Sequence, residues 1–124
     1  MGLEKLPYVL ITTQNTSNVT LEAARDLDAV GINPKAIGYE YLTEAIIIAT
    51  KGNVPNLARQ IALKYNKTQA SVERAMQNAI NRAWSNCNPD DLARNYTAVI
   101  NYERGVPTLT EFVYHYASKF RNEL

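Results

Sequence analysis

The stretch SVERAMQNAINRAW, residues 71–84, constrains the fold more than any other part of the chain. Val72, Ala75, Met76, Ala79, Ile80, Ala83 and Trp84 recur at i, i+3, i+4, i+7, i+8, i+11 and i+12. That is one face of an amphipathic helix, and the period is incompatible with a strand. Glu73, Arg74, Gln77, Asn78, Asn81 and Arg82 fall on the opposite face. Such a helix must bury its stripe against other elements. Trp84, which closes the stripe, is expected in the core.

The flanking residues place this helix in a motif. Thr68 is a suitable N-cap, so the helix is predicted over Gln69 to about Ser85. Just before it, Leu57, Ile61, Ala62 and Tyr65 lie on one face of a predicted helix over 56–65. Pro55 suits its first position, and Asn66, tolerant of a left-handed backbone, suits its end. A short helix, a turn of about three residues and a longer amphipathic helix make a helix-turn-helix.

The remaining punctuation predicts more helices. Thr20 caps one over Leu21 to about Val30, stopped by Gly31. Another spans Tyr39 to Lys51, with Tyr39, Leu42, Ala45, Ile46 and Ala49 inward and Gly52 after it. Asn88, Pro89, Asp90 and Asp91 are a cap, an N1 proline and two acids on the positive helix end, opening a short helix to about Asn95. A loop over 96–107 follows. Thr108 and Glu111 form a capping box for a last helix to about Asn122, with Phe112, Val113, Tyr116, Ala117 and Phe120 inward. The expected fold is all-α: a compact six-helix domain over 20–124. Residues 1–19 read as an N-terminal extension, in which Tyr8–Thr13 could form one strand.

Composition narrows the function classes. At 124 residues and 46% apolar content the chain suits one domain with a core. The lone cysteine, Cys87, rules out an internal disulfide and a multi-cysteine metal site, and it fits a reducing, cytoplasmic setting. No segment resembles a secretory signal or a membrane span, so no membrane partner is expected. Net charge is only +1, but residues 59–82 carry +4, against −2 before them and −1 after. The excess comes from Arg59, Lys64, Lys67, Arg74 and Arg82. Positive charge centred on a helix-turn-helix suits a phosphate-facing surface.

Helix-turn-helix proteins place the start of the second helix in the major groove. Its exposed residues there include Glu73, Arg74, Gln77 and Asn78, the candidate base readers. Arginine can donate twice to guanine, glutamine or asparagine can pair with adenine, and glutamate can accept from cytosine. Lys67, Thr68, Ser71, Asn81 and Arg104 are candidate phosphate contacts. The expected partner is double-stranded DNA. Glu73 and Gln77 could alternatively support each other as an i, i+4 pair. Eight tyrosines raise the idea of base stacking, but Tyr39, Tyr65 and Tyr116 lie on apolar faces. His115 has no neighbouring ligand pattern. Asp90 and Asp91 serve the helix start better than acid–base chemistry. No nucleophile elbow, phosphate loop or cofactor fingerprint is present, so neither an enzyme nor a metal or cofactor is expected.

Three segments carry a family resemblance: GINPKAIGYEYLTEAI at 31–46, ALKYNKTQASVERAMQNAINRAW at 62–84 and PTLTEF at 107–112. Together they resemble the C-terminal effector domain of the sporulation-initiation response regulator of endospore-forming Firmicutes, over about 105 residues from Leu21 onward. The resemblance implies a six-helix transcription factor that binds short, often tandem promoter boxes; without a receiver domain, activity would follow protein concentration, dimerisation on DNA as a homodimer on tandem sites, or a partner. It implies base contacts from Glu73 and Arg74. The family usually has arginine at the position of Gln77 and often histidine at that of Asn78, so the family's usual box is not assumed. The family's sigma-factor contact corresponds to residues 88–99, with Asp90, Asp91 and Arg94 as candidates. Family members also have a receiver domain, which the residues before the first helix are too few to form. A second reading is therefore an interaction module that binds a full-length regulator or sigma factor as an antagonist, without reading DNA specifically.

Overall fold

The computed structural model describes residues 19–52 and 54–123, with side chains as far as Lys119. Six helices and no strand occur among them. They are α1 (19–29), α2 (Ile37–Ala49), α3 (Leu57–Tyr65), α4 (Gln69–Asn86), α5 (Pro89–Asn95) and α6 (Leu109–Glu123). The expected all-α architecture and the helix-turn-helix are present. The extension and its proposed strand, apart from residue 19, lie outside the described residues, as does the side chain of Phe120.

The stripe on α4 is the centre of the fold. Val72, Met76 and Ile80 are fully buried, and Ala79 and Ala83 nearly so. They share one cluster with Leu42 and Ile46 of α2, Ile61 of α3, and Phe112, Val113 and Tyr116 of α6. Burying each large aliphatic side chain contributes about 1.5–3 kcal/mol. Trp84 is half-buried at the rim, edge-on to Tyr96 and Phe112 with ring centroids 5.2 and 6.0 Å away. Ala23 and Leu27 fix α1 to the same core, and Gly31 (φ +80°) turns the chain behind it.

The predicted caps are largely observed. Thr68 accepts from Ser71 N at 3.1 Å, and Asn88 accepts from Asp90 N with Pro89 at the helix start. Thr108 and Glu111 form the reciprocal box: Thr108 N donates to Glu111 Oε1 (2.9 Å) and Glu111 N to Thr108 Oγ1 (3.2 Å). Three helix starts differ from expectation. Residue 19 is already helical, so Thr20 lies inside α1 and not ahead of it. Helix α2 begins at Ile37, two residues early, which brings Gly38 into its first turn. Pro55 is not the first residue of α3, because Asn56 adopts a left-handed conformation (φ 58°) and helical geometry resumes only at Leu57.

Candidate nucleic-acid interface

The turn between α3 and α4 is set by backbone chemistry. Asn66 is left-handed (φ 55°), which lets Lys67 N donate back to Ala62 O at 2.9 Å. Asparagine tolerates this conformation better than other non-glycine residues. Thr68 then returns to extended backbone and caps α4. Ile61 and Ala62 of α3 and Val72 and Met76 of α4 are all buried, so the two helices are held at a fixed angle.

Relative to this buried stripe, Arg74 occupies the opposite crest of α4. It is exposed and makes no ion pair or hydrogen bond with the described residues. One turn on, Asn78 is also exposed and unpartnered among them. Both line a groove of about 550 Å³ between α4 and the start of α2, together with Ser71, Arg82, Ile37 and Gly38. Arg82 belongs on this surface, although only its charge, and no particular contact, is expected from the sequence. The available signal was its spacing, four residues after Asn78 and eight after Arg74, which keeps it on the same side of the helix.

The other predicted base readers are differently placed. Glu73 is half-buried, and its Oε1 accepts from Gln69 Nε2 at 2.9 Å. Gln77 is half-buried on the flank facing α6. Its Nε2 lies 3.1 Å from both Asn81 Oδ1 and Pro107 O, and its Oε1 accepts from Leu109 N at 2.9 Å. The considered Glu73–Gln77 pair is thus replaced by Gln69–Glu73 and Gln77–Asn81.

Of the candidate phosphate contacts, Ser71 and Asn81 line the same groove as Arg74 and Asn78. Lys67, Thr68 and Ser71 gather at the start of α4. Lys67 is exposed and unpaired among the described residues, Thr68 caps, and Ser71 Oγ donates to Thr68 O at 3.0 Å. Asn81 is exposed farther along α4. Arg104, in the loop before α6, is not a free cation. Its guanidinium meets Glu111 Oε1 at 2.6 Å and donates weakly to Val106 O at 3.4 Å. The hydrogen bond from the Thr108 backbone N–H, helped by the Thr108 hydroxyl and by Arg104 nearby, holds the Glu111 carboxyl below its ordinary range. Asp90, Asp91 and Arg94 are all exposed on α5, with Arg94 paired to Asp91 at 2.7 Å.

With Arg74 projecting from the second helix of a helix-turn-helix, the comparison with known families is decisive. The family described as sporulation initiation factor Spo0A C terminal matches residues 24–120. The chain belongs to this family. A Spo0A C-terminal domain is a DNA-binding effector domain, so the chain is a DNA-binding regulator in the general sense. Its family is one of regulators and not a known family of enzymes. The match spans the entire helix-turn-helix, the groove between α2 and α4, and the loop before α6. No helix among the described residues is long and apolar enough to cross a membrane.

Proposed function

We propose that this domain recognises a specific sequence in double-stranded DNA by placing the start of α4 in the major groove. One observation carries this reading: the Arg74 guanidinium stands at the outer crest of α4 without an acidic partner among the described residues. Arg94 and Arg104, by contrast, are each held by a carboxylate, Asp91 and Glu111. In this arrangement Arg74 donates to a guanine edge, Asn78 addresses an adjacent base, and the free oxygen of Glu73 accepts from cytosine. Lys67, Ser71, Thr68 and Arg82 face phosphates on either side, and Asn81 and Arg104 face the strand beyond. The exposed α5 surface of Asp90, Asp91 and Arg94 is the proposed polymerase sigma-factor contact.

The rival is an interaction module that antagonises a regulator or sigma factor. The Arg104–Glu111 pair favours it, because it removes one free cation from the DNA side. Selection from a random duplex pool decides between them. An enriched box, bound with a steep salt dependence in a gel shift, supports DNA reading. Equal, weak binding to all duplexes beside retention of a full-length regulator or sigma factor in a pull-down supports the rival.

A further inference from the structure

Position 77 lies on the recognition helix, where the proposed function would place a base reader, yet its side chain is already committed. Leu109 N is one of the unpaired donors at the start of α6, and Gln77 Oε1 accepts from it at 2.9 Å. Pro107 offers only a carbonyl, which accepts from Gln77 Nε2 at 3.1 Å. A donor on one side and an acceptor on the other fix which end of the amide is which. The second Nε2 proton goes to Asn81 Oδ1, also at 3.1 Å. Asn81 must therefore point its NH2 group away from Gln77, and that side chain is exposed. An arginine in the same place could not accept from Leu109 N, because guanidinium has no acceptor.

We propose that Gln77 is a positioning residue: it ties the recognition helix to the start of α6, turns the Asn81 amide so that its donors face DNA, and carries no base preference of its own. The same bonds hold Pro107 and Leu109, which flank Thr108 and follow Val106; Thr108 N donates to Glu111 and Val106 O accepts from Arg104. Gln77 thus sets the distance between the base-reading surface on α4 and the phosphate-facing loop. The inference rests on the DNA-reading proposal.

The test uses the whole chain with Gln77→Ala and Gln77→Glu, the second of which keeps an acceptor for Leu109 N and loses both donors. Binding is measured to the selected box and to each of its single-base variants. Gln77→Ala is expected to weaken all of them by one common factor, about fivefold, leaving the base preference at every position unchanged. In an Asn81→Ala background the same substitution should weaken binding less, a coupling that a purely structural loss of stability would not produce. Amide exchange at Leu109 should quicken in Gln77→Ala and stay slow in Gln77→Glu. An altered preference at any single base pair, or equal losses in both Asn81 backgrounds, overturns the positioning role while leaving DNA reading intact. If Gln77→Ala does not fold, Gln77→Glu decides by the same criteria. If the unaltered protein selects no box, the DNA-reading proposal falls and this inference with it.

Discussion

Gly38 of α2 lies directly against the carbonyl of Ala75 on α4. A Cβ at position 38 would sit inside contact distance of that oxygen, 2.8 Å from the carbonyl carbon and 2.9 Å from Ala79 Cβ. The neighbour is mainly helical backbone, which cannot swing aside as a flexible side chain can. Backbone dihedrals play no part, since Gly38 is an ordinary helical residue; the glycine is required by proximity. Gly38→Ala should therefore push α4 away from α2, at about 1–3 kcal/mol in stability. It should also weaken DNA binding beyond that loss, because the displaced helix carries Arg74 and Asn78. Denaturant unfolding and gel shifts on the same preparation check both parts.

Much of this arrangement is legible in the sequence. The seven-residue stripe on α4 predicts the buried residues Val72, Met76, Ala79, Ile80 and Ala83. Caps at Thr68, Asn88 and Thr108 are short-range chemistry and hence readable. Gln77 shows where such reading ends. Its position on the wheel places it at the edge of the wet face, and its partners lie thirty and thirty-two residues away, in a loop whose path the helical period does not encode. Pro55 fails for a related reason: the left-handed Asn56 beside it is a backbone choice that residue type permits and does not dictate.

Arg74 and Lys67 should separate specificity from affinity. Arg74→Ala is expected to cost about 1–3 kcal/mol on the preferred box and to relax one base position. Lys67→Ala should weaken all duplexes alike and reduce the logarithmic salt slope by about one. Titrations at two or more salt concentrations, on the selected box and a scrambled duplex, read both effects. A binding profile left unchanged by Arg74→Ala would remove α4 from the reading role.

Acid stability should carry the signature of His115. Burial first, and the Lys119 ammonium second, hold its pKa below the ordinary 6.5, against an opposing pull from Asp26. Its ring lies 4.6 and 4.9 Å from those of Tyr96 and Tyr116. The folded chain then binds fewer protons than the unfolded chain below pH 6.5, so stability falls as pH drops from that point toward the lower folded value. Above pH 6.5 this contribution is fully present. The melting temperature should decline between pH 7 and 5.5, and His115→Gln should flatten that decline. The window lies above the range in which Glu111 titrates, so the two effects are separable.

Thr68 offers a division between holding the helix and holding DNA. Its Oγ1 accepts from Ser71 N, while its hydroxyl proton is left to donate to a phosphate. Thr68→Ala removes the cap and should cost about 1 kcal/mol, lowering the melting temperature by roughly 4 °C. Thr68→Asp keeps a capping acceptor and adds a favourable charge at the positive end of α4, so its stability should match or exceed that of the parent. The same carboxylate repels a phosphate passing the helix start. Thr68→Asp should therefore fold normally and bind every duplex more weakly, most visibly at low salt. Melting curves beside gel shifts measure this directly. Unimpaired binding by Thr68→Asp would show that the phosphate backbone does not pass the start of α4.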